Sequence, residues 1–389
     1  MKLVIVCHPP FMTSQSMPRF AQMLTAAYKQ LGHEVSCIAP QARVRRYFAA
    51  TRLAKWAGYV DQYLLFPRVL RRAARQAARD TLFVFCDQAM GPWVPAVASR
   101  PHAIHVHDLL ALRSALGDIK ENPTSISGRL YQRYIRRGFR RGRHFICISQ
   151  KTRADLQQFG LVEPTICEVV YNGVNYPYTP MPREEAQRIL LRDNFPSAPQ
   201  GVLLHVGGNQ WYKNRRGLIE LYARYVASEA TPLPLWLIGP SPDATLRQAL
   251  KKVGAKGSVL FFQDVKSETL QAAYSYAKLL LFPSFAEGFG WPLIEAQACG
   301  CPVLTTKEAP MTEVAGETAF YIPRLEAGGD IDAWTKEALQ VLKEALAETE
   351  AERARRVERG RIWSNKFNSK AAIDSYLGIY RAILAEAVQ

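Results

Sequence analysis

The stretch Leu279-Leu-Leu-Phe282-Pro-Ser-Phe285-Ala-Glu287-Gly-Phe-Gly290-Trp-Pro292-Leu-Ile-Glu295 decides how the chain folds. Its four leading apolar residues read as a buried strand, which Pro283 and Ser284 end. Pro292 suits the first turn of a helix, where its missing N–H costs nothing. That helix is predicted over Leu293–Cys299 and stops at Gly300. Strand, loop and helix in this order make a unit of a parallel sheet, with the loop at the carboxyl end, where such sheets bind ligands. Gly288 and Gly290 let backbone approach a ligand closely, and the helix start offers N–H groups to an anion. Glu287 and Glu295 do not suit that anion. A carboxylate accepts two hydrogen bonds side by side and so suits a vicinal diol. A molecule with phosphates in its middle and hydroxyls at both ends, such as a nucleotide sugar, satisfies both demands. On spacing alone, a solvated Glu287 and a Glu295 placed by the helix dipole fit equally well.

The same alternation extends in both directions. Strands are predicted at Leu3–Cys7, Glu34–Ala39, Thr81–Cys86, Ala103–Val106, His144–Ile148 and Cys167–Tyr171. A second series runs Val202–Val206, Leu235–Ile238, Val259–Phe262, Leu279–Phe282 and Pro302–Leu304. Helical patterns lie between, such as Arg19–Leu31 closed by Gly32. The pattern runs twice, so the fold class is α/β, with two Rossmann-like, doubly wound parallel-sheet domains facing a cleft. Prolines at 177, 180 and 182, then at 196 and 199, place a linker across 176–200. The expected domains are 1–180, 181–365 and a C-terminal helix, 366–389, returning to the first domain.

With 389 residues, 48% hydrophobic and 22% charged, the chain is long enough for two cores. It has no apolar run of membrane-spanning length. The opening Met1–Cys7 is too short for a secretory signal and reads as a first strand. The seven cysteines contain no C-x-x-C pair, so buried free thiols in a reducing cytoplasm are expected. The net charge of +16 is uneven: residues 1–180 hold 25 Lys and Arg against 10 Asp and Glu, and the remainder holds 25 against 24. One half therefore faces something anionic.

Five ordered motifs carry a family resemblance. They are His107-Asp108; Ser149-Gln-Lys-Thr-Arg-Ala-Asp-Leu156; Val170-Tyr-Asn-Gly-Val-Asn175; His205-Val-Gly-Gly-Asn-Gln-Trp-Tyr-Lys-Asn214; and Glu287–Glu295 followed by Ala296-Gln-Ala-Cys-Gly-Cys-Pro-Val303. Together they resemble the retaining GT-B glycosyltransferases of the large E-x7-E group, the sucrose-synthase-like and mannosyltransferase-like enzymes. The similarity covers nearly the whole chain. It implies that Glu287 meets hydroxyls of the donor sugar and Glu295 the ribose. It implies that His107 contacts the sugar near the reacting carbon, and that Lys213 neutralises the diphosphate. Gly208, Gly288, Phe289 and Gly290 belong to the donor-binding motifs. The family often has an arginine where Gly208 and Asn209 stand here; Asn209 offers a neutral donor instead. The family's first loop usually carries paired glycines. This chain has His8-Pro-Pro-Phe-Met-Thr-Ser-Gln-Ser-Met-Pro-Arg19, in which Ser16 either caps a helix or approaches the diphosphate. The resemblance also implies front-face transfer with retention, the leaving diphosphate helping to deprotonate the acceptor. No cofactor and no metal are implied beyond the nucleotide sugar itself. His105, His107 and Asp108 lack the rest of a metal motif, and Asp330-Ile-Asp332 reads as a helix cap.

The basic half adds a partner. Arg68, Arg71, Arg72, Arg75 and Arg79 fall on one helical face, and Arg129, Arg133, Arg136, Arg137, Arg140, Arg141 and Arg143 form a second basic run. A third cluster, Arg43, Arg45, Arg46, Arg52 and Lys55, ends at Trp56. Such faces suit an anionic membrane surface; because the first domain of the fold that the chain resembles usually binds the acceptor, the resemblance then implies a lipid-linked or polysaccharide acceptor at the inner face of the plasma membrane. A solvated basic face without a partner is the plainer alternative. No nucleic acid is expected, because no RNA-binding module appears. An epimerase of the same fold, which needs no acceptor, remains the nearest rival activity.

Overall fold

The computed structural model describes residues 1–12 and 16–387. Two six-stranded sheets organise the chain, and every strand pair in them is parallel. The first contains β1 (Lys2–Val6), β2 (Glu34–Ile38), β3 (Thr81–Phe85), β4 (His102–Val106), β5 (His144–Cys147) and β6 (Ile166–Val169), in the order β2-β1-β3-β4-β5-β6. The second contains β7 (Leu203–Val206), β8 (Leu235–Ile238), β9 (Val259–Phe262), β10 (Leu279–Phe282), β11 (Val303–Thr306) and β12 (Phe320–Ile322), in the order β12-β11-β10-β7-β8-β9. Strands β3, β4, β8 and β10 are buried along their whole length, as sheets covered by helices on both faces require. In each sheet the strand order reverses once, between β1 and β3 and between β7 and β10. At such a switch point the loops diverge and leave a crevice for ligand.

The chain divides into a unit of Met1–Tyr171 plus the chain from Lys370 onward, and a unit of Asn172–Ser369. The helix Ser369–Glu386 places Ile373, Tyr376, Leu377, Tyr380 and Ile383 in the first unit's core. The division falls before the prolines, not at 180, because the Asn172–Val174 turn is tied to the second unit. The Trp291 indole donates to the Gly173 carbonyl (3.2 Å), and the Val174 N–H to Phe367 (3.2 Å). The segment 176–200 is no linker either. It holds the helix Arg183–Arg192, whose Ala186, Ile189 and Leu190 are buried, and Phe195, which stacks on Phe262 at 3.7 Å. All seven cysteines are free, but not all are buried: Cys37, on the edge strand β2, is exposed.

Two elements cross unusually closely in the first unit. Helix Ile126–Phe139 packs on the 3-10 helix Gln88–Ala96 through Gly138 and Gly91. A Cβ on Gly138 would lie far inside van der Waals contact distance of the Gly91 carbonyl oxygen, and that oxygen is backbone and cannot swing away. Gly138→Ala is therefore expected to lower stability by about 1–3 kcal/mol. An earlier urea midpoint checks this, and an unchanged midpoint would contradict the close packing.

Candidate functional site at the second sheet's switch point

The loops after β7 and β10 flank the switch point and are laced together. The Phe285 N–H donates to the Tyr212 carbonyl (2.7 Å), and Asn214 Nδ2 donates to the Pro283 carbonyl (3.0 Å). Asn214 itself has positive φ (49°) and caps the helix Arg215–Ser228 by accepting from the Gly217 N–H. Across this seam Lys213 Nζ donates to Glu287 Oε1 at 2.7 Å, and Ser284 Oγ donates to the same oxygen at 2.8 Å. The two charged side chains are only 12% and 7% exposed. The Lys213 ammonium also lies over the Phe282 ring, 4.8 Å from its centroid. Gly290, at φ 98°, turns the chain into the helix Trp291–Ala298, a conformation that a side chain would strain.

Glu295, in that helix, accepts from the Tyr274 hydroxyl at 2.8 Å. Burial pushes its carboxyl up to about 7, against the pull of the Tyr274 hydrogen bond and the Lys213 charge. Glu287, Glu295 and Lys213 thus meet at one end of the sheet. Gly288 lies on the loop between the two carboxylates. Phe289 differs from expectation: its ring is 4% exposed and packs edge-on to Trp291 and Phe367, so its side chain is core. Gly208 lies in the loop after β7. Asn209 is not a free donor there. Its Nδ2 donates to the Ser241 carbonyl (2.8 Å), and its oxygen accepts from Arg215.

Arg215 escaped the sequence reading because it stands one residue past the motif, in what looks like a surface run, Lys213-Asn-Arg-Arg216. It is 5% exposed and donates to Asn209 and to the Pro240 carbonyl (3.0 Å), fastening the loop after β7 to the loop after β8. His205, fully buried on β7, hydrogen-bonds the Leu281 carbonyl through Nδ1 at 2.9 Å. Desolvation drives its pKa down to about 3, so the ring is neutral. Arg324, just past β12, donates to the Phe285 carbonyl (3.2 Å) and adds a second cation beside the loop.

In the first unit His107 follows β4 and is 7% exposed. Its Nε2–H donates to the Cys86 carbonyl (2.9 Å), and its backbone N–H donates to Gln88 Oε1 (3.0 Å). Burial lowers its pKa, which leaves the ring neutral. His105 bonds the Tyr380 hydroxyl (2.8 Å) inside the core, and Asp108 accepts from the Leu110 N–H at a helix start. Ser149 caps the helix Gln150–Phe159. Asp330 caps the helix Ile331–Ala347, while Asp332 pairs with Arg224. Ser16 opens the helix Ser16–Gln30, and its side chain lies outside the described residues.

Comparison with known proteins agrees with this fold. Residues 188–363 match the family model of glycosyl transferases group 1, and residues 17–176 match that of glycosyltransferase family 4. The chain is 30% identical over 166 residues to O-antigen chain mannosyltransferase B of Escherichia coli, covering 42% of each chain. It is 29% identical over 230 residues to the lipopolysaccharide glucosyltransferase WaaG of Escherichia coli K12, covering 57% of this chain and 58% of that one. The chain thus spans about half the length of the curated relatives it matches. Among solved structures, Anabaena HepE in complex with UDP and glucose superposes with a TM-score of 0.72 at 15% identity, covering 98% of this chain and 100% of that one. The likeness to solved structures shows the fold. With two parallel-sheet units and a glycosyltransferase family model matched on each, the chain carries a glycosyltransferase family 4 domain followed by a glycosyl transferases group 1 domain and has the GT-B fold.

Proposed function

We propose that the protein transfers a sugar, with retention, from a nucleoside diphosphate sugar to a lipid-linked or surface-polysaccharide acceptor. The observation that carries this reading is the Lys213–Glu287 pair across the second switch point, with Glu295 beside it. Lys213 can exchange Glu287 for a diphosphate, since both partners are anions. Glu287, released, then accepts from sugar hydroxyls, and Glu295 accepts from the ribose diol. Lys213 supplies positive charge where the leaving group develops its own, so the reading calls for no metal. His107, held neutral on the first unit, is assigned to the donor sugar. The acceptor class follows the relatives, whose names place them in O-antigen and lipopolysaccharide synthesis.

The first unit supports a peripheral position on the cytoplasmic membrane face. Among the described residues no helix is long and apolar enough to cross a bilayer. On the helix Ile126–Phe139 the core side is Ile135, Gly138 and Phe139. Its outward stripe is Ile126, Leu130 and Tyr134, spaced one turn apart, with Ile126 78% exposed. Exposed Arg129, Arg133 and Arg137 flank that stripe, and residues 126–143 contain no acid. Tyr134 joins Tyr63, Tyr131, Tyr59 and Trp56 in one aromatic cluster, and Trp56 is 65% exposed. Arg68, Arg71, Arg72 and Arg75 are exposed on the adjoining helix Phe66–Gln76, and Arg79 lies beyond its end. Apolar side chains set among arginines suit the boundary between lipid headgroup and acyl chain better than they suit a nucleic acid.

Two measurements test this reading. Only the ionised Glu295 accepts both hydrogens of a diol. Affinity for the matching nucleotide should therefore weaken as pH falls through about 7, and Glu295→Gln should abolish that dependence. Without ligand the sign is opposite: the raised carboxyl contributes stability below its unfolded value of about 4.5 and loses it as pH rises to about 7. Calorimetric titration with UDP, GDP and ADP from pH 6 to 8 reads the effect, and pH-independent binding would sink the Glu295 assignment. On the membrane side, co-sedimentation with phosphatidylglycerol vesicles, but not phosphatidylcholine vesicles, is expected. Replacing Arg129, Arg133 and Arg137 by Glu should weaken it at least about a hundredfold, from about 1 kcal/mol per basic side chain. Equal binding to both lipids would contradict an electrostatic dock. Turnover of a nucleotide sugar to its isomer without acceptor would favour the epimerase.

A further inference from the structure

The first sheet has its own switch point, between β1 and β3, and a hydrogen-bonded pair of side chains bridges it too. His8 stands on the loop after β1 and Asp87 on the loop after β3. His8 Nε2 and Asp87 Oδ2 are 2.8 Å apart, and each side chain is 12% exposed. The partners differ by 79 residues, so the fold and not the local chain brings them together. Asp87 Oδ1 accepts from the Ala89 N–H, which fixes the carboxylate as the cap of the 3-10 helix Gln88–Ala96. Burial works against the charged form of Asp87. The hydrogen bonds from His8 and from the Ala89 N–H outweigh it and hold the carboxyl below its usual value. An ionised Asp87 takes the Nε2–H of His8, which leaves the lone pair on Nδ1. Among the described residues Nδ1 makes no hydrogen bond. His107 follows the neighbouring strand β4 and donates to the Cys86 carbonyl, immediately before Asp87.

We propose that His8 is a proton acceptor for the glycosyl acceptor, with Asp87 as its positioning residue. The proposal rests on the transferase reading above. As the acceptor oxygen bonds to the anomeric carbon, its proton passes to His8 Nδ1. The bond from that carbon to the diphosphate oxygen breaks, and the nucleoside diphosphate leaves with the bonding electrons. The imidazolium formed is stabilised by Asp87 and later returns its proton to solvent. An oriented base of this kind is worth roughly a hundredfold or more in rate. The resemblance alone gave the proton to the leaving diphosphate, and the paired glycines usual in this loop could not have taken it. A His-Pro-Pro turn in their place adds a group that can.

The test uses the full-length protein, with GDP-mannose and UDP-glucose as probe donors and a long-chain alkyl mannoside as probe acceptor. Water serves as the competing acceptor. Nucleoside diphosphate release is measured for wild type, His8→Gln, His8→Ala and Asp87→Asn, alongside melting temperature and nucleotide affinity. The expected result is unchanged nucleotide affinity in all three variants and release slowed at least about a hundredfold in the two His8 variants. Added imidazole should partly restore His8→Ala, which a merely structural strut would not show. Asp87→Asn should lower kcat while leaving the acceptor KM in place. Release at the wild-type rate by folded His8→Gln, or failure of imidazole to restore folded His8→Ala, overturns the dyad alone. Failure of wild type to bind or turn over either donor overturns the transferase reading together with it.

Discussion

The Lys213–Glu287 ion pair is the constraint on which the second unit's architecture turns. Two charges almost removed from water are costly unless each is well partnered. Here the carboxylate has Ser284 as well as Lys213, and the ammonium has an aromatic face beneath it. The pair joins the loop after β7 to the loop after β10, the two strands on either side of the switch point. Breaking it without replacement would leave an uncompensated charge at the place where the strand order reverses. A diphosphate is the replacement that satisfies the lysine, and a polyhydroxyl ring is the one that satisfies the glutamate. On the proposed reading, the free protein holds in one contact the two halves of the recognition that a nucleotide sugar would separate.

The same topology explains why charged and polar side chains meet where they do in both units. A parallel sheet sends every loop of one kind to one edge, and the reversal of strand order opens space between two of them. In the second unit that space is spanned by Lys213 and Glu287, in the first by His8 and Asp87. Fasteners behind each pair keep the loops from drifting. Arg215 holds Asn209 and Pro240 together, Asn214 reaches Pro283, and Asp87 caps its own short helix. None of these side chains needs to touch substrate to matter.

Much of this was legible in the sequence, for a physical reason. Strands buried on both faces are short apolar runs, so β8 and β10 were read to the residue, as was β9, a half-buried edge strand that is also an unbroken apolar run. Gly290 and Pro292 announced the turn into the helix Trp291–Ala298 because each does something that a neighbouring residue type cannot. The three-residue strand β12 was missed because it is too short to show a pattern, and proline ends it. The helix Arg183–Arg192 was taken for linker because prolines bracket it, though proline marks helix starts as readily as it marks coil. Phe289 was placed in the site by its motif, yet a motif does not say which way an aromatic ring turns. Arg215 and the His8–Asp87 pair were invisible for a third reason. Their meaning lies in contacts across the fold, and no local spacing encodes them.

The central claim is that the second unit's switch point holds a nucleotide sugar by replacing one ion pair. A crystal structure with the matching nucleoside diphosphate sugar tests it most directly. The account predicts Lys213 Nζ on phosphate oxygens and no longer on Glu287, sugar hydroxyls on Glu287, and the ribose diol on Glu295. A ligand seated elsewhere, with the Lys213–Glu287 contact intact at its present 2.7 Å, would contradict it.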